Sequence, residues 1–444
     1  MKRKKPQTGP DFLRQLVAAN LGGRPVGICS ICSANPYVLR AGMSQAKQDG
    51  SFVLIESTSN QVNQFGGYTG MDAAGFRDFV SQLARRQDFP AERVILGGDH
   101  LGPYPWRSEP AAHAMKKARD LVRSYVEAGF TKIHLDTSMR CADDTGDPRA
   151  ALDERIVVER ALELGQAAED AAGPSRPVYV IGTEVPAPGG ERSEAEAPEV
   201  TAIEDVERSL RLMKSGLESC GLGEVWERVI AIVVQPGVEF SDSAVFEYDR
   251  SKTATLVTFI RRLGGCAFEA HSTDYQKPAA LQQMVEDHFP ILKVGPWLTF
   301  AFREAVFALS QIEEEWLGER RSVDLSRLRE ILESVMLEDP RDWKSYYTGD
   351  EAYLRYARKY SYSDRSRYYW PRPRVQEALA RLLRNLAGHP PPLTLLSQFL
   401  PRQYEAVREG ALSCDPEALI EDKIKEVLKI YSRACGQGDP GWYM

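Results

Sequence analysis

Val94-Ile-Leu-Gly-Gly-Asp-His-Leu-Gly-Pro103 runs from strand-forming residues through two glycines to an adjacent aspartate and histidine. Aspartate is depleted in strands, so its place at the end of such a run needs a reason. Two readings fit these residues. Either His100 ligates a metal beside an Asp99 that moves protons, or Asp99 caps the next helix and His100 packs beneath it. The same pattern, an apolar run closing on polar residues, recurs between Val26 and Gly295.

Upstream, Val26–Cys32 is the first such run. Ser33-Ala-Asn35 forms its polar mouth, and Pro36 opens a helix. Phe52–Glu56 is the second and enters Ser57–Gly70, a loop dense in amides, hydroxyls and glycines that includes Asn60 and Gln61. Such a loop suits a polyhydroxylated ligand. Downstream, Thr131–Ser138 places His134 and Asp136 on one face. Asp136, nearer the strand end, is the candidate for function; His134 reads as a packed core histidine. Pro177–Glu184 closes on a glutamate, and 186–198, rich in Pro, Gly, Ala and Glu, reads as a flexible active-site loop. Val229–Gln235, Cys266–His271 with Ser272-Thr-Asp274 behind it, and Pro290–Gly295 complete the series.

Eight strand-helix repeats predict parallel strands closed into a (β/α)8 TIM barrel, with the polar strand ends gathered on one face. The barrel is assigned to 1–318 with a helix at Asp11–Asn20, and a helical C-terminal extension to 319–444. Trp343–Tyr347 and Tyr360–Trp370 interleave aromatics with arginines and read as an interface or a lid over the site. A chain of 444 residues suits a barrel of roughly 250 residues plus an appendage.

The charge balance, 56 Lys+Arg against 63 Asp+Glu, argues against general nucleic-acid affinity. The one basic run, Lys2-Arg-Lys-Lys5, reads as a terminal tail. Neither an 18-residue apolar stretch nor a signal peptide is evident, so no membrane association and a cytoplasmic location are expected. Seven scattered cysteines fit a reducing compartment, with Cys29 and Cys32 as structural thiols.

His100 and His271, with Glu184 and Gln235 between them, offer mixed nitrogen and oxygen ligands for Zn, Mn, Co or Ni. Gly295, heading Val294-Gly-Pro-Trp-Leu-Thr299, puts backbone N–H groups at a helix start, a position that often holds phosphate in barrels. A metal beside a carboxylate in a polar mouth points to enolate chemistry on a sugar or sugar phosphate. No G-x-G-x-x-G joins a strand to a helix, and no G-x-S-x-G or kinase signature appears.

Ile55–Met71, Gly97–Pro103, Lys132-Ile-His-Leu-Asp136, Ile181–Pro186, Val233–Phe240, Ala270–Gln276, Lys293–Phe300 and Tyr360–Arg365 together resemble the GatZ/KbaZ family across nearly the whole chain. That family is described as the non-catalytic subunit of class II D-tagatose-1,6-bisphosphate aldolase, sometimes misnamed a tagatose-6-phosphate kinase; some members are reported as C4-epimerases of ketohexoses or their 6-phosphates. Its barrel is similar to that of the catalytic class II aldolases. The resemblance implies that Asp99 and His100 match their Asp-His pair and His271 their last histidine. Gln235 stands at the middle histidine position, where an amide is the weaker zinc ligand, and Asn35 stands where many members carry histidine.

What the resemblance implies is a metal-dependent C4-epimerase of the fructose/tagatose series working by retro-aldol cleavage and re-addition. The divalent ion would sit on His100, Glu184, Gln235 and His271. Asp99 is the expected base, with Glu56 or Asp136 as a second proton carrier. Asn35, Asn60, Gln61, Asp274 and Gly295 are the expected substrate contacts. The alternative is a stabilising subunit of class II D-tagatose-1,6-bisphosphate aldolase. Expected partners are a ketohexose or its phosphate, and either further copies of the chain or a catalytic aldolase chain.

Overall fold

The computed structural model describes residues 7–147, 151–182 and 198–438. Eight parallel strands close into a barrel: β1 (Ile28–Cys32), β2 (Val53–Thr58), β3 (Val94–Leu101), β4 (Lys132–Asp136), β5 (Val178–Gly182), β6 (Val229–Val233), β7 (Ala267–Ala270) and β8 (Ile291–Val294). Each pairs with its neighbour in sequence, and β8 returns to β1 with Ile28 opposite Ile291 and Ile31 opposite Val294. The predicted (β/α)8 barrel is the observed one. Apolar residues fill Val178–Gly182 and Val229–Val233 throughout because both faces of these strands are covered.

Two apolar clusters set the position of the site. Inside the barrel, Ile28, Leu54, Ile95, Val178, Val180, Ile230 and Ile291 pack against Phe12, Leu13, Leu16 and Val17 of the helix Gly9–Leu21. That helix therefore plugs the N-terminal end of the barrel. The larger cluster fills the layer between strands and outer helices and continues into the C-terminal helices. Polar side chains are thereby left the C-terminal mouth, where barrels keep their active sites.

The C-terminal extension is helical, as predicted, and it returns to the barrel. Its last helix, Pro416–Ala434, sends Tyr431 to donate a 2.8 Å hydrogen bond to the Thr273 carbonyl, and the Cys435 carbonyl accepts from Gly27 N at 3.0 Å. A short hairpin, Glu239–Phe240 with Val245–Phe246, follows β6 and was not foreseen. Most of the predicted loop over 186–198 lies outside the described residues. Among the described residues no helix is long and apolar enough to cross a membrane.

Candidate metal centre at the barrel mouth

Consecutive residues of a strand point to opposite faces, so Asp99 and His100 could not share a cavity in regular β structure. The pairing of β3 with β4 shifts register between Gly98 and Leu101, and His100 takes a φ of 48°, in the left-handed region. A bulge of this kind re-aims a side chain. Both Asp99 and His100 consequently line one cavity. The glycines around them answer to close packing: a Cβ on Gly97 would lie 2.7 Å from Glu56 Cγ, and one on Gly102 would lie 1.7 Å from the Asp136 carbonyl oxygen.

Three imidazoles meet there. Ring centroids stand 5.1 Å apart for His100 and His134, 5.0 Å for His100 and His271, and 5.2 Å for His134 and His271. With Asp99 each offers one ligand atom, and those atoms all lie within 4.8 Å of one another. The sequence reading left His134 in the core; it is fully buried, yet it belongs to this cluster. Alternation along β4 brings it inward beside Asp136.

Carboxylates orient the rings. His100 Nδ1 is 2.8 Å from Asp136 Oδ2, His134 Nδ1 is 2.8 Å from Asp99 Oδ1, and His271 Nε2 is 3.0 Å from Glu269 Oε1. A carboxylate on one ring nitrogen is the usual support of a metal-ligating histidine, because it fixes the tautomer and raises the basicity of the other nitrogen. His134 Nε2 is buried with no hydrogen-bond partner. An orphaned imidazole nitrogen beside two more imidazoles fits a divalent ion, and three histidines are a common donor set for catalytic zinc. Burial, helped by the Lys293 charge, pushes His271 down to about 3, which keeps the ring neutral and able to ligate. Burial opposes charge on His100 too, but Asp99 and Asp136 outweigh it and hold that ring above its ordinary value.

Beneath the histidines lies a buried ionic network of which sequence reading found only Glu56 and Asp99. Lys132 Nζ is 2.6 Å from Glu56 Oε1 and 2.8 Å from Glu269 Oε2; Lys293 Nζ is 2.8 Å from Glu56 Oε2 and 2.6 Å from Asp99 Oδ1. Charges this deep persist only when paired. A second grouping of donors, Cys32, Glu56 and Asp99, surrounds the Lys293 ammonium, which already serves as its cation. Burial works to raise the pKa of Asp99, yet His100, Lys293 and His134 hold it well below the ordinary value. Asp136 is drawn down to about 2 against burial by its bond to His100. The signal was available: Lys132 stands two residues before His134, and Glu269 two before His271, so each pair shares a strand face.

Asn60, Gln61, Asp274 and Gly295, the expected substrate contacts, line the same cavity as Asp99, His100 and His271. Asp274 Oδ1 accepts from Gly295 N at 3.0 Å and Trp297 N at 2.7 Å. The anion position expected at the β8 mouth is thus taken by the protein's own carboxylate. Burial outweighs these bonds and lifts Asp274 to about 6. Asn35 caps the helix Pro36–Asp49, its Oδ1 accepting from Tyr37 N and Val38 N, and faces an adjoining cavity. Gln235, expected as a ligand, turns its Oε1 to Gly237 N at 2.9 Å and Val238 N at 3.0 Å and is not among the residues lining the cavity of Asp99, His100 and His271. Two backbone donors at a strand-to-loop turn occupy the oxygen a metal would need. Glu184 lies outside the described residues.

Arg367, Tyr368 and Tyr68 also line the cavity and were not singled out from the sequence. The segment 360–370, read as an interface or lid, is tied to the barrel: Tyr275 donates to the Tyr362 carbonyl at 2.6 Å, and Thr299 to Asp364 Oδ2 at 2.5 Å.

Fold and site together define a (β/α)8-barrel protein with a histidine-carboxylate centre at its C-terminal mouth. Within that class the chain belongs to the D-tagatose-1,6-bisphosphate aldolase subunit GatZ/KbaZ-like family, whose model matches residues 13–436. It is similar to a crystal structure of a probable tagatose 6 phosphate kinase from Sinorhizobium meliloti 1021, at 45% identity and a TM-score of 0.84, covering 92% of this chain and 100% of that one. A fructose-bisphosphate aldolase from Campylobacter jejuni superposes more loosely, at 13% identity and a TM-score of 0.45, covering 85% of this chain and 92% of that one.

Proposed function

We propose that this chain is a metal-dependent C4-epimerase of ketohexoses or ketohexose 6-phosphates of the fructose/tagatose series. The observation that carries the reading is the triangle of His100, His134 and His271, each ring held by a carboxylate, beside the ionised Asp99. Those three histidines would hold the ion, with Glu184 retained from the sequence as an oxygen ligand. A divalent ion there would supply Lewis acidity at the C2 carbonyl of the ketose.

The rest of the chemistry falls to the chain. In a 2-ketose C4 is not adjacent to the carbonyl, so deprotonation at carbon does not invert it. Asp99 takes the proton of the C4 hydroxyl; the C3–C4 bond breaks, its electron pair passes to C3 and the C2 carbonyl, and C4 becomes an aldehyde. The aldehyde turns its other face, C3 re-adds to it, and Asp99 returns the proton to the C4 oxygen. Of the Asp99 oxygens, Oδ1 is held by Lys293 and His134, whereas Oδ2 lies 3.6 Å from His100 Nε2 and is the freer for proton transfer. Asn60 and Gln61 offer amides for the sugar hydroxyls. Glu56 and Asp136 act at one remove in this scheme, Glu56 by fixing Lys293 and Asp136 by fixing His100.

Epimerisation of fructose 6-phosphate in deuterium oxide tests the route. Product with protium retained at C4 is expected, because the C4–H bond is never broken. Solvent deuterium at C4 would contradict retro-aldol inversion. A second reading, a stabilising subunit of a class II D-tagatose-1,6-bisphosphate aldolase, draws on the family description.

A further inference from the structure

The mouth cavity holds two cationic side chains besides its histidines, Lys293 and Arg367. Lys293 is neutralised by Asp99 and Glu56. The backbone N–H groups at the start of the helix Pro296–Leu317 are taken by Asp274. Arg367 differs from both. Its Nη1 donates to the carbonyls of Ser363 and, at 3.1 Å, Asp364; its Nη2 donates to Tyr368 Oη at 3.0 Å. Those acceptors are neutral, and among the described residues no carboxylate pairs with it. Asp274 and Asp364 feel its charge, but each carboxylate is committed elsewhere: Asp274 to Gly295 and Trp297, Asp364 to Thr299 and Ser366.

The surroundings hold the guanidinium in place rather than discharge it. Arg367 lies over the Tyr368 ring at 4.5 Å, and Tyr368 meets Tyr68 edge-on at 4.8 Å. Arg365 sits over the other aromatic neighbours, 3.5 Å from the Tyr346 ring and 4.6 Å from that of Tyr368, so two guanidiniums share one phenol. A planar, permanently charged fork on neutral partners in the lining of the mouth cavity is the arrangement that recognises a phosphate ester.

Resting on the epimerase reading of this site, we propose that Arg367, carried on the C-terminal extension, binds the phosphate of a ketohexose 6-phosphate and makes the ester the preferred ligand over the free sugar. The extension thereby contributes a specificity determinant to the barrel mouth.

Calorimetric titration of the full, metal-loaded chain with fructose 6-phosphate, with fructose, and with a ketohexose carrying a C6 carboxylate tests this. The wild type should bind the ester at least about tenfold more tightly than fructose, a difference of about 1.4 kcal/mol. Arg367→Met should lose that preference while its affinity for fructose holds within about twofold, and Arg367→Lys should retain part of it. A wild type that does not prefer the ester, or an Arg367→Met variant that still does, would overturn the assignment; tighter binding of the C6 carboxylate would reassign the site. The wild-type comparison stands even if the variants fold poorly. Preference for the ester without turnover would remove the epimerase and keep the anion site, whereas turnover of both sugars without preference would remove the anion site alone.

Discussion

In the proposed reaction Asp99 is the base, held ionised between Lys293 and two histidines. Asp99→Asn keeps the shape and removes the base, so turnover should fall on the order of 10²–10⁴-fold with folding and metal content intact, as kinetics and elemental analysis would show. Unchanged turnover would exclude Asp99 from proton transfer. His271→Ala removes one imidazole of three and should release metal on dialysis; full occupancy would refute the ligand set. Asp274 gives a pH signature. Its folded value, raised to about 6 from 3.8, means that the fold disfavours its charge; the penalty is absent below pH 4, grows from pH 4 to 6 and is complete above. Asp274→Asn keeps an acceptor for Gly295 N and Trp297 N without the charge, so its stability relative to wild type should rise by on the order of 2–3 kcal/mol across that window. A flat difference between the two melting curves from pH 4 to 7 would contradict this. At this scale the sequence revealed Asp99, His100, His271 and Asp274, because each stands at the end of an apolar run or in the turn just after it. Lys132, His134 and Glu269 lie deeper in theirs, where a polar residue reads equally as a satisfied core group, and only the barrel interior shows them paired.

Strand β3 matters more for where it breaks than for where it runs. Its glycines were legible as a break, with Asp99 at the end of the run, but the strand continues through Leu101 because the register shift keeps the ladder going past the bulge. Periodicity counts residues and does not register an inserted one. Gly97 lies against Glu56, so Gly97→Ala should force the Glu56 side chain away from Lys132 and Lys293, at a cost of about 1–3 kcal/mol by chemical denaturation and with weakened turnover. Wild-type stability in that variant would show that the network tolerates displacement. Gln235 illustrates the opposite limit: its position at the β6 end was correctly read, but its oxygen serves the turn at Gly237 and Val238. Residue type and placement do not reveal which of two nearby demands a side chain meets.

Over the whole molecule, the barrel and its polar mouth follow from eight repeats of one pattern, whereas the helix Gly9–Leu21 was read without its role as the plug. The contribution of the C-terminal extension does not follow from them, since Arg367 and Tyr368 reach the cavity across more than 260 positions from Asp99, and no local spacing encodes that contact. Their segment was visible only as an arginine-tyrosine cluster. The three histidines, Asp99 and Arg367 all come from this one chain, and the proposed reading makes it an autonomous enzyme. The most direct measurement is made on the purified chain alone: strip metal with chelator, restore Zn, Mn, Co or Ni separately, and follow fructose 6-phosphate and fructose for their tagatose epimers. Metal-dependent conversion is the predicted result. No conversion with any metal, together with aldolase activity gained when a catalytic class II aldolase chain is added, would contradict the account and establish the chain as a partner subunit.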